Sequence, residues 1–196
     1  LTLTDKRKGM LMSLAIVYTR AKLGVDAPHV PVEVHLSNGL PGLSIVGLPE
    51  TAVKESKDRV RSAILNSHLE FPARRITINL APADLPQDGG RYDLAIALGI
   101  LAASGQLPRE RLTEFEFLGE LALSGELRPI QGALPSALAA DKANRKLIVS
   151  QANASEAALS GGEIFGASSL LSVCAHLQDR AYLELTPSPS IEIFNQ

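Results

Sequence analysis

The chain predicts an α+β fold with helices mainly on one side of a sheet, and three observations carry that reading. Strand-like segments come first: LAIVYTR, VPVEVHLS and LSIVGL all precede any helical pattern. In VPVEVHL the apolar Val32, Val34 and Leu36 alternate with Glu33 and His35, the period of two that marks one dry and one wet face. Further on, DLAIALGILAAS is apolar nearly all round a helix, so more than one element must cover it.

Taken in order, residues 14–48 read as a three-strand antiparallel meander, with turns at Asn38-Gly39 and Pro41-Gly42. Pro49-Glu50 opens a helix to about Ser67, with Val53, Val60 and Ile64 on one stripe. RRITINLAP is a strand, followed by a Pro-rich loop, Gly89-Gly90 and the apolar helix. FEFLGELALSGELRPI reads as a hairpin turning near Ser124-Gly125. A helix from about Gly132 to Asn144 and the strand KLIVS come next. A short helix near 153–160, a strand around Glu163–Phe165 and a helix near 168–178 complete the series. The tail TPSPSIEIFNQ is punctuated by Pro and Ser, as a linker would be.

At 196 residues, with 45% hydrophobic and 20% charged side chains, the chain suits one globular domain with a sizeable core. A net charge of −2 excludes a polycation that coats nucleic acid, so any such contact must be a local patch. Cys174 is the single cysteine, which excludes an intrachain disulfide, and it shares a helix face with Leu170 and Leu177, as a core thiol does. Lys6-Arg7-Lys8 before GMLMSLAIVY imitates a signal peptide. Arg20 and Lys22 follow at once and no small-residue cleavage site appears, so a first strand is the preferred reading. No apolar run approaches the ~20 residues that span a bilayer. The expectation is a cytoplasmic protein without a membrane partner.

Metal chemistry finds no pattern: His29, His35, His68 and His176 are scattered, and CxxC and HExxH do not occur. Asp84, Asp88 and Asp93 are candidate Mg2+ ligands. Asp88 is better read as a turn residue, and Asp93 as a first-turn carboxylate favoured by the helix dipole. GGEIFGAS has phosphate-loop glycine spacing but Ala167 where the lysine belongs, so it reads as two turns around a short strand. The remaining candidate is LAPADLPQDGGRYDLAIAL, residues 80–98. Free N–H groups converge where such a loop opens a helix, a position suited to a nucleophile or a phosphate. Yet the first side chain after the glycines is Arg91.

APADLPQDGGRYDLAIALGILAASG, then FLGELALSGELRPIQGALPSALAA and KLIVS, resembles the proteolytic domain of Lon. That family has a D-G-P-S-A-G loop bearing the nucleophilic Ser, a hairpin T-G-E-x-x-x-x-G-x-x-x-P-I-G-G, and a helix bearing the Lys base. Asp88-Gly89 match, as do Gly119-Glu120, Gly125, Pro129-Ile130 and Gly132. The Ser position, however, is Arg91 and the Lys position Leu134. A permanently protonated arginine and a leucine cannot form a Ser-Lys dyad. The resemblance therefore implies a relic active-site loop made of Asp88, Gly89, Gly90, Arg91 and Leu134, with no catalytic residue. A dyad rebuilt from Ser124, Ser136 and Lys142 is the enzyme-class alternative.

Longer matches run from about Met12 to Leu185. MSLAIVYTRAKLGVDAP, VEVHLSNGLPGLSIVGLPETAVKESKDRVRSAI and ITINLAPADLPQDGGRYDLAIALGILAAS resemble the N-terminal domain of the ComM/YifB proteins, the magnesium-chelatase-related or ChlI-like family. A similar domain occurs in the recombination protein RadA. The resemblance implies a ribosomal-protein-S5-domain-2-like fold, a layered sandwich of a mixed sheet with helices. It implies that residues 12–185 form the Lon-like domain, that 1–11 are an N-terminal extension, native or added, and that 186–196 are a linker toward an AAA+ ATPase module. It also implies a hexameric, ATP-dependent DNA helicase of branch migration in competence and recombination. ATP and Mg2+ would serve the AAA+ module and no cofactor this one. The partners implied are that module, sister subunits and DNA.

Three roles follow for such a domain. It can contact DNA: ETAVKESKDRVRSAI places Lys54, Lys57 and Arg61 within about 60° of helical arc, with Arg59 beyond it and Arg74, Arg75 and Arg91 as further phosphate ligands. The opposing reading is a solvated face knitted by Glu50–Lys54 and Lys54–Asp58 pairs. With aromatic residues at 4% and no Trp, a base-stacking platform is not expected. It can scaffold a ring. Or it can bind peptides as a pseudo-protease. Ring assembly is the leading expectation, with sequence-independent DNA contact second.

Overall fold

The computed structural model describes residues 13–82 and 89–189. Its larger sheet holds β1 (Leu14–Arg20), β2 (His29–Ser37), β3 (Gly42–Val46) and β4 (Arg75–Leu80) in the order β1-β2-β4-β3. β1 and β4 both pair antiparallel with β2, and β3 runs parallel to β4. The expected meander is therefore corrected: β4 takes the edge of β2 that the Asn38-Gly39 turn had promised to β3. Parallel pairing needs a crossover of a dozen residues or more. The 17-residue helix α1 (Glu50–Asn66) supplies it.

On one face of this sheet lie α1 and α2 (Asp93–Ala103). The strands alternate as an amphipathic sheet should, with Val30, Val32, Val34 and Leu36 of β2 buried and Glu33 and His35 exposed. All eleven residues of α2 are buried, as its uniform apolarity required. Gly99 allows that helix to lie close on the sheet: a Cβ there would stand 2.5 Å from Val34 Cγ2.

The second sheet is parallel, ordered β5 (Phe115–Phe117), β8 (Lys146–Ser150), β9 (Ile164–Ala167). Between β5 and β8 come the short hairpin β6 (Glu120–Leu121) and β7 (Leu127–Arg128) and the helix α4 (Ala133–Lys142). The long hairpin expected over FEFLGELALSGELRPI is thus confined to β6 and β7, because Phe115–Phe117 pairs with β8. A one-turn helix α3 (Arg109–Leu112) precedes β5, α5 (Gln151–Ala158) links β8 to β9, and α6 (Leu170–Leu177) follows. GGEIFGAS is a turn with Gly161 at φ +77° and then β9.

One large core joins the first sheet, α1, α2, β5 and α6. A smaller one lies among α4, α5 and β8. Cys174 belongs to the large core, and burial pushes its thiol up to about 12. The start of the expected linker is tied down: Thr186 N–H donates to Ile164 O at 2.8 Å. Residues 1–11 and the rest of that linker, 190–196, lie outside the described residues. Among the described residues no helix is long and apolar enough to cross a membrane.

Candidate functional site

Gly89–Tyr92 forms a 3-10 turn that runs directly into α2. Asp88 and Asp84 lie outside the described residues. Arg91 leaves the turn and points inward, where it is 3% exposed. Its Nε donates to Arg20 O at 2.9 Å, Nη1 to Gln131 O at 2.9 Å and Nη2 to Ser136 Oγ at 3.1 Å. The guanidinium fork thus ties β1, the turn before α4, and α4 itself to the loop. Gly132, at φ +75°, makes the left-handed turn that follows Gln131, a conformation that favours glycine. Arg91 was also a candidate phosphate ligand, but 3% of its surface is accessible and its guanidinium serves three protein acceptors.

The other positions considered for a dyad are placed as follows. Leu134 is half-buried on the first turn of α4. Ser136 accepts from Arg91, Ser124 sits exposed in the hairpin turn and accepts from Glu126 N–H at 3.3 Å, and Lys142 is exposed at the far end of α4. Neither hydroxyl is hydrogen-bonded to an amine. A base must lie within hydrogen-bond reach of the proton it takes.

Two residues after Arg91, Asp93 stands in the first turn of α2, as expected. It is fully buried. Ser56 Oγ donates to its Oδ1 at 2.8 Å, Arg59 Nε to its Oδ2 at 2.6 Å, and Leu121 N–H to Oδ2 at 3.1 Å. Arg59 lies off the cationic arc of α1 because it turns inward to this carboxylate. With its lone pairs so engaged Asp93 does not fit a Mg2+ ligand, and no three His, Cys, Asp or Glu come together among the described residues.

Burial pushes Asp93 up to about 6, against the lowering by Arg59, Ser56 and the Leu121 N–H. Burial also lowers Arg59, but its carboxylate partners outweigh that and leave it raised. The two directions pull apart, since a raised Arg59 favours the ion pair and a raised Asp93 opposes it. The 2.6 Å contact and three donors decide for a carboxylate at neutral pH that protonates near 6.

A second buried carboxylate, Glu116 on β5, receives Arg20 Nε at 2.6 Å, Arg20 Nη2 at 2.9 Å and Arg145 Nη1 at 3.1 Å. Arg20 uses its backbone carbonyl for Arg91 and its side chain for Glu116, so the two polar sets meet on β1. Sequence reasoning missed Glu116, Arg59 and Arg20. The only cue was charge within otherwise apolar strand and helix faces.

The tentative DNA ligands are arranged differently. Lys54 and Arg61 are exposed and Lys57 half-buried along one side of α1. The expected Glu50–Lys54 and Lys54–Asp58 pairs are not formed. The ion pairs of α1 belong to Arg59, with Glu55 at 3.7 Å, Asp93 and Glu120 at 3.8 Å, and none involves Lys54, Lys57 or Arg61 among the described residues. Arg74 is half-buried and Arg75 exposed beside β4.

Replacing Arg91 by Ala leaves two carbonyls and a hydroxyl without their donor, at about 1–3 kcal/mol for each such loss. Urea unfolding is expected to show at least about 3 kcal/mol of destabilisation on that scale, and Arg91→Ser is expected to release no peptidase activity on unfolded casein. For Asp93, a folded pKa near 6 lies above the usual unfolded value of 3.8. The proton-linked part of its contribution is then complete below the unfolded value and lost as pH rises through 6, while the hydrogen bonds to the carboxylate remain. The stability of the parent relative to Asp93→Asn is expected to fall by about 2.5 kcal/mol between pH 4 and 7. A difference that grows with pH contradicts this.

The model of the family described as the ChlI subunit of Mg-chelatase matches residues 32–153. YifB of Escherichia coli K12 is 58% identical over 180 residues, covering 91% of this chain and 35% of that protein. The competence protein ComM of Haemophilus influenzae is 57% identical over 175 residues, 89% of this chain and 34% of that protein. A Mycobacterium tuberculosis H37Rv protein, Rv2897c, is 42% identical over 152 residues, 77% of this chain and 30% of its own length. The chain thus spans about a third of the length of the relatives it matches. With the family model covering residues 32–153, more than half its length, the chain belongs to the ChlI family of Mg-chelatase.

Proposed function

We propose that this chain is the Lon-like, S5-domain-2-like accessory module of a ComM-type, ATP-dependent DNA helicase of recombination, without catalytic chemistry of its own. The observation that carries this is Arg91: the position that would bear a nucleophile is a buried arginine serving three structural acceptors. The 57% identity to a competence protein supports the class of process. In this reading residues 12–185 form the module and 186–196 lead toward an AAA+ motor that uses ATP and Mg2+. The module organises sister subunits in a cytoplasmic homo-hexamer. The loop between β4 and α2 is kept as architecture.

DNA contact through Lys54, Lys57 and Arg61 is the second part of the proposal. It is supported by the absence of ion pairs at these three cations among the described residues, which leaves them available to phosphates. Contact would be electrostatic and sequence-independent, and a ring would multiply a weak patch through effective concentration. No observation favours the peptide-binding or altered Ser-Lys readings, since Ser136 is held by Arg91.

Fluorescence anisotropy of this chain with labelled DNA across a salt titration tests the contact. Binding in the micromolar range that weakens steeply with salt is expected. Lys54→Glu, Lys57→Glu and Arg61→Glu together should weaken it and reduce the log–log salt slope by about 3. Flat curves at low salt, or binding untouched by the triple substitution, contradict the contact.

A further inference from the structure

α1 borders two concavities that share Lys57. One, of about 480 Å3, lies between α1, the start of β3 and the segment before β4, and is lined by Pro41, Leu43, Lys57, Arg61, Phe71 and Pro72 among others. The other, of about 390 Å3, lies toward the N-terminus of α1 beside Val53 and Lys54. Together they follow the side of the helix on which Lys54, Lys57 and Arg61 stand. At 1.5 Å per residue, the stretch from Lys54 to Arg61 covers about 10 Å.

The larger groove has a composition that a purely phosphate-binding surface would not need. The Arg61 guanidinium stands over the Phe71 ring, 5.3 Å from its centroid, and two proline rings and Leu43 complete the wall. Phe71 is only partly buried, on the edge of the main core. A cation stacked on an aromatic ring offers a flat surface for a nucleobase, and Lys57 beside it offers a charge for the phosphate. Duplex DNA keeps its bases stacked inside and presents mainly phosphates to such a surface. A single strand can turn a base into the groove. Asp58 also lines it, and its carboxylate repels a polyanion, which directs the phosphates along the Lys57 and Arg61 side.

We propose that this groove is a single-strand-selective nucleic-acid site, in which one base stacks on the Arg61–Phe71 pair while Lys54 and Lys57 hold the adjoining phosphates. The proposal rests on the DNA contact proposed above and specifies its ligand. Aromatic residues are few in this chain, but one ring suffices for one base when it stands beside cations that form no ion pair among the described residues.

Anisotropy with this chain and three labelled probes tests it, a twelve-nucleotide oligo(dT), an abasic strand with the same phosphates and a twelve-base-pair duplex, together with a challenge of the oligo(dT) complex by poly-glutamate. Phe71→Leu is the informative variant, because it keeps an apolar side chain against the core while removing the ring; circular dichroism checks its fold, and Phe71→Tyr should restore binding. Oligo(dT) is expected to bind more tightly than the abasic strand or the duplex. Phe71→Leu should weaken oligo(dT) about tenfold, a typical stacking contribution, and leave the other two unchanged. Equal affinity for oligo(dT) and abasic strand, or no effect of Phe71→Leu while the triple charge reversal still weakens every probe, overturns the single-strand site and leaves the DNA contact standing. Loss of neither probe on charge reversal sinks the DNA contact itself. Displacement by poly-glutamate at the concentration of phosphates that unlabelled oligo(dT) requires would make the groove an acidic-peptide site instead.

Discussion

The carboxylate of Asp93 is the point at which three parts of the fold are fastened together. α1 reaches it through Ser56 and Arg59, the β6 hairpin through the Leu121 N–H, and α2 carries it on its first residue. Breaking a buried, hydrogen-bonded charge pair by removing one partner costs about 3–5 kcal/mol. The position of α1, and with it the row of cations on its outer side, therefore depends on this buried contact. Arg91, two residues earlier, does for β1 and α4 what Asp93 does for α1 and the hairpin. Arg20 extends the polar set to Glu116 on β5.

Arg91 makes the turn that opens α2 a joint between elements. Catalytic groups are held near their reacting partners and kept accessible to substrate. Here the side chain at the corresponding position is turned into the protein and its donors are used by backbone and hydroxyl acceptors. The fastened elements hold α1 in place, with Lys54 and Arg61 exposed along its outer side.

Much of the fold was legible because it rests on local pattern. The boundaries of α1, the complete burial of α2, the alternation in β2 and the core placement of Cys174 all follow from periodicity that the sequence displays directly. Pairing was not legible. Asn38-Gly39 is a strong hairpin cue, yet β4, from nearly forty residues later, takes the place beside β2. Phe115–Phe117 likewise joins β8 across a stretch that contains a hairpin and a helix. The site was half legible. Residue identities at positions 91 and 134 denied a dyad, and the helical arc set Arg59 apart from Lys54, Lys57 and Arg61. The acceptors of Arg91 were invisible because two are backbone carbonyls. The i,i+4 pairs expected on α1 do not form, while Arg59 engages Asp93 and lies near Glu55 and Glu120.

The most direct test of the turn at Gly89–Tyr92 and the start of α2 as a rigid structural joint is native-state amide hydrogen exchange at Leu94, Gly119 and Leu121. Leu94 N–H donates to Gly119 O, Gly119 N–H to Arg91 O, and Leu121 N–H to the Asp93 carboxylate. If Arg91 and Asp93 fasten the fold, these three amides open only with the global unfolding of the chain, and Arg91→Ala accelerates all three together. Exchange at rates typical of mobile loops, with the β2 amides still protected, would contradict the account and return the loop to the class of adaptable binding segments.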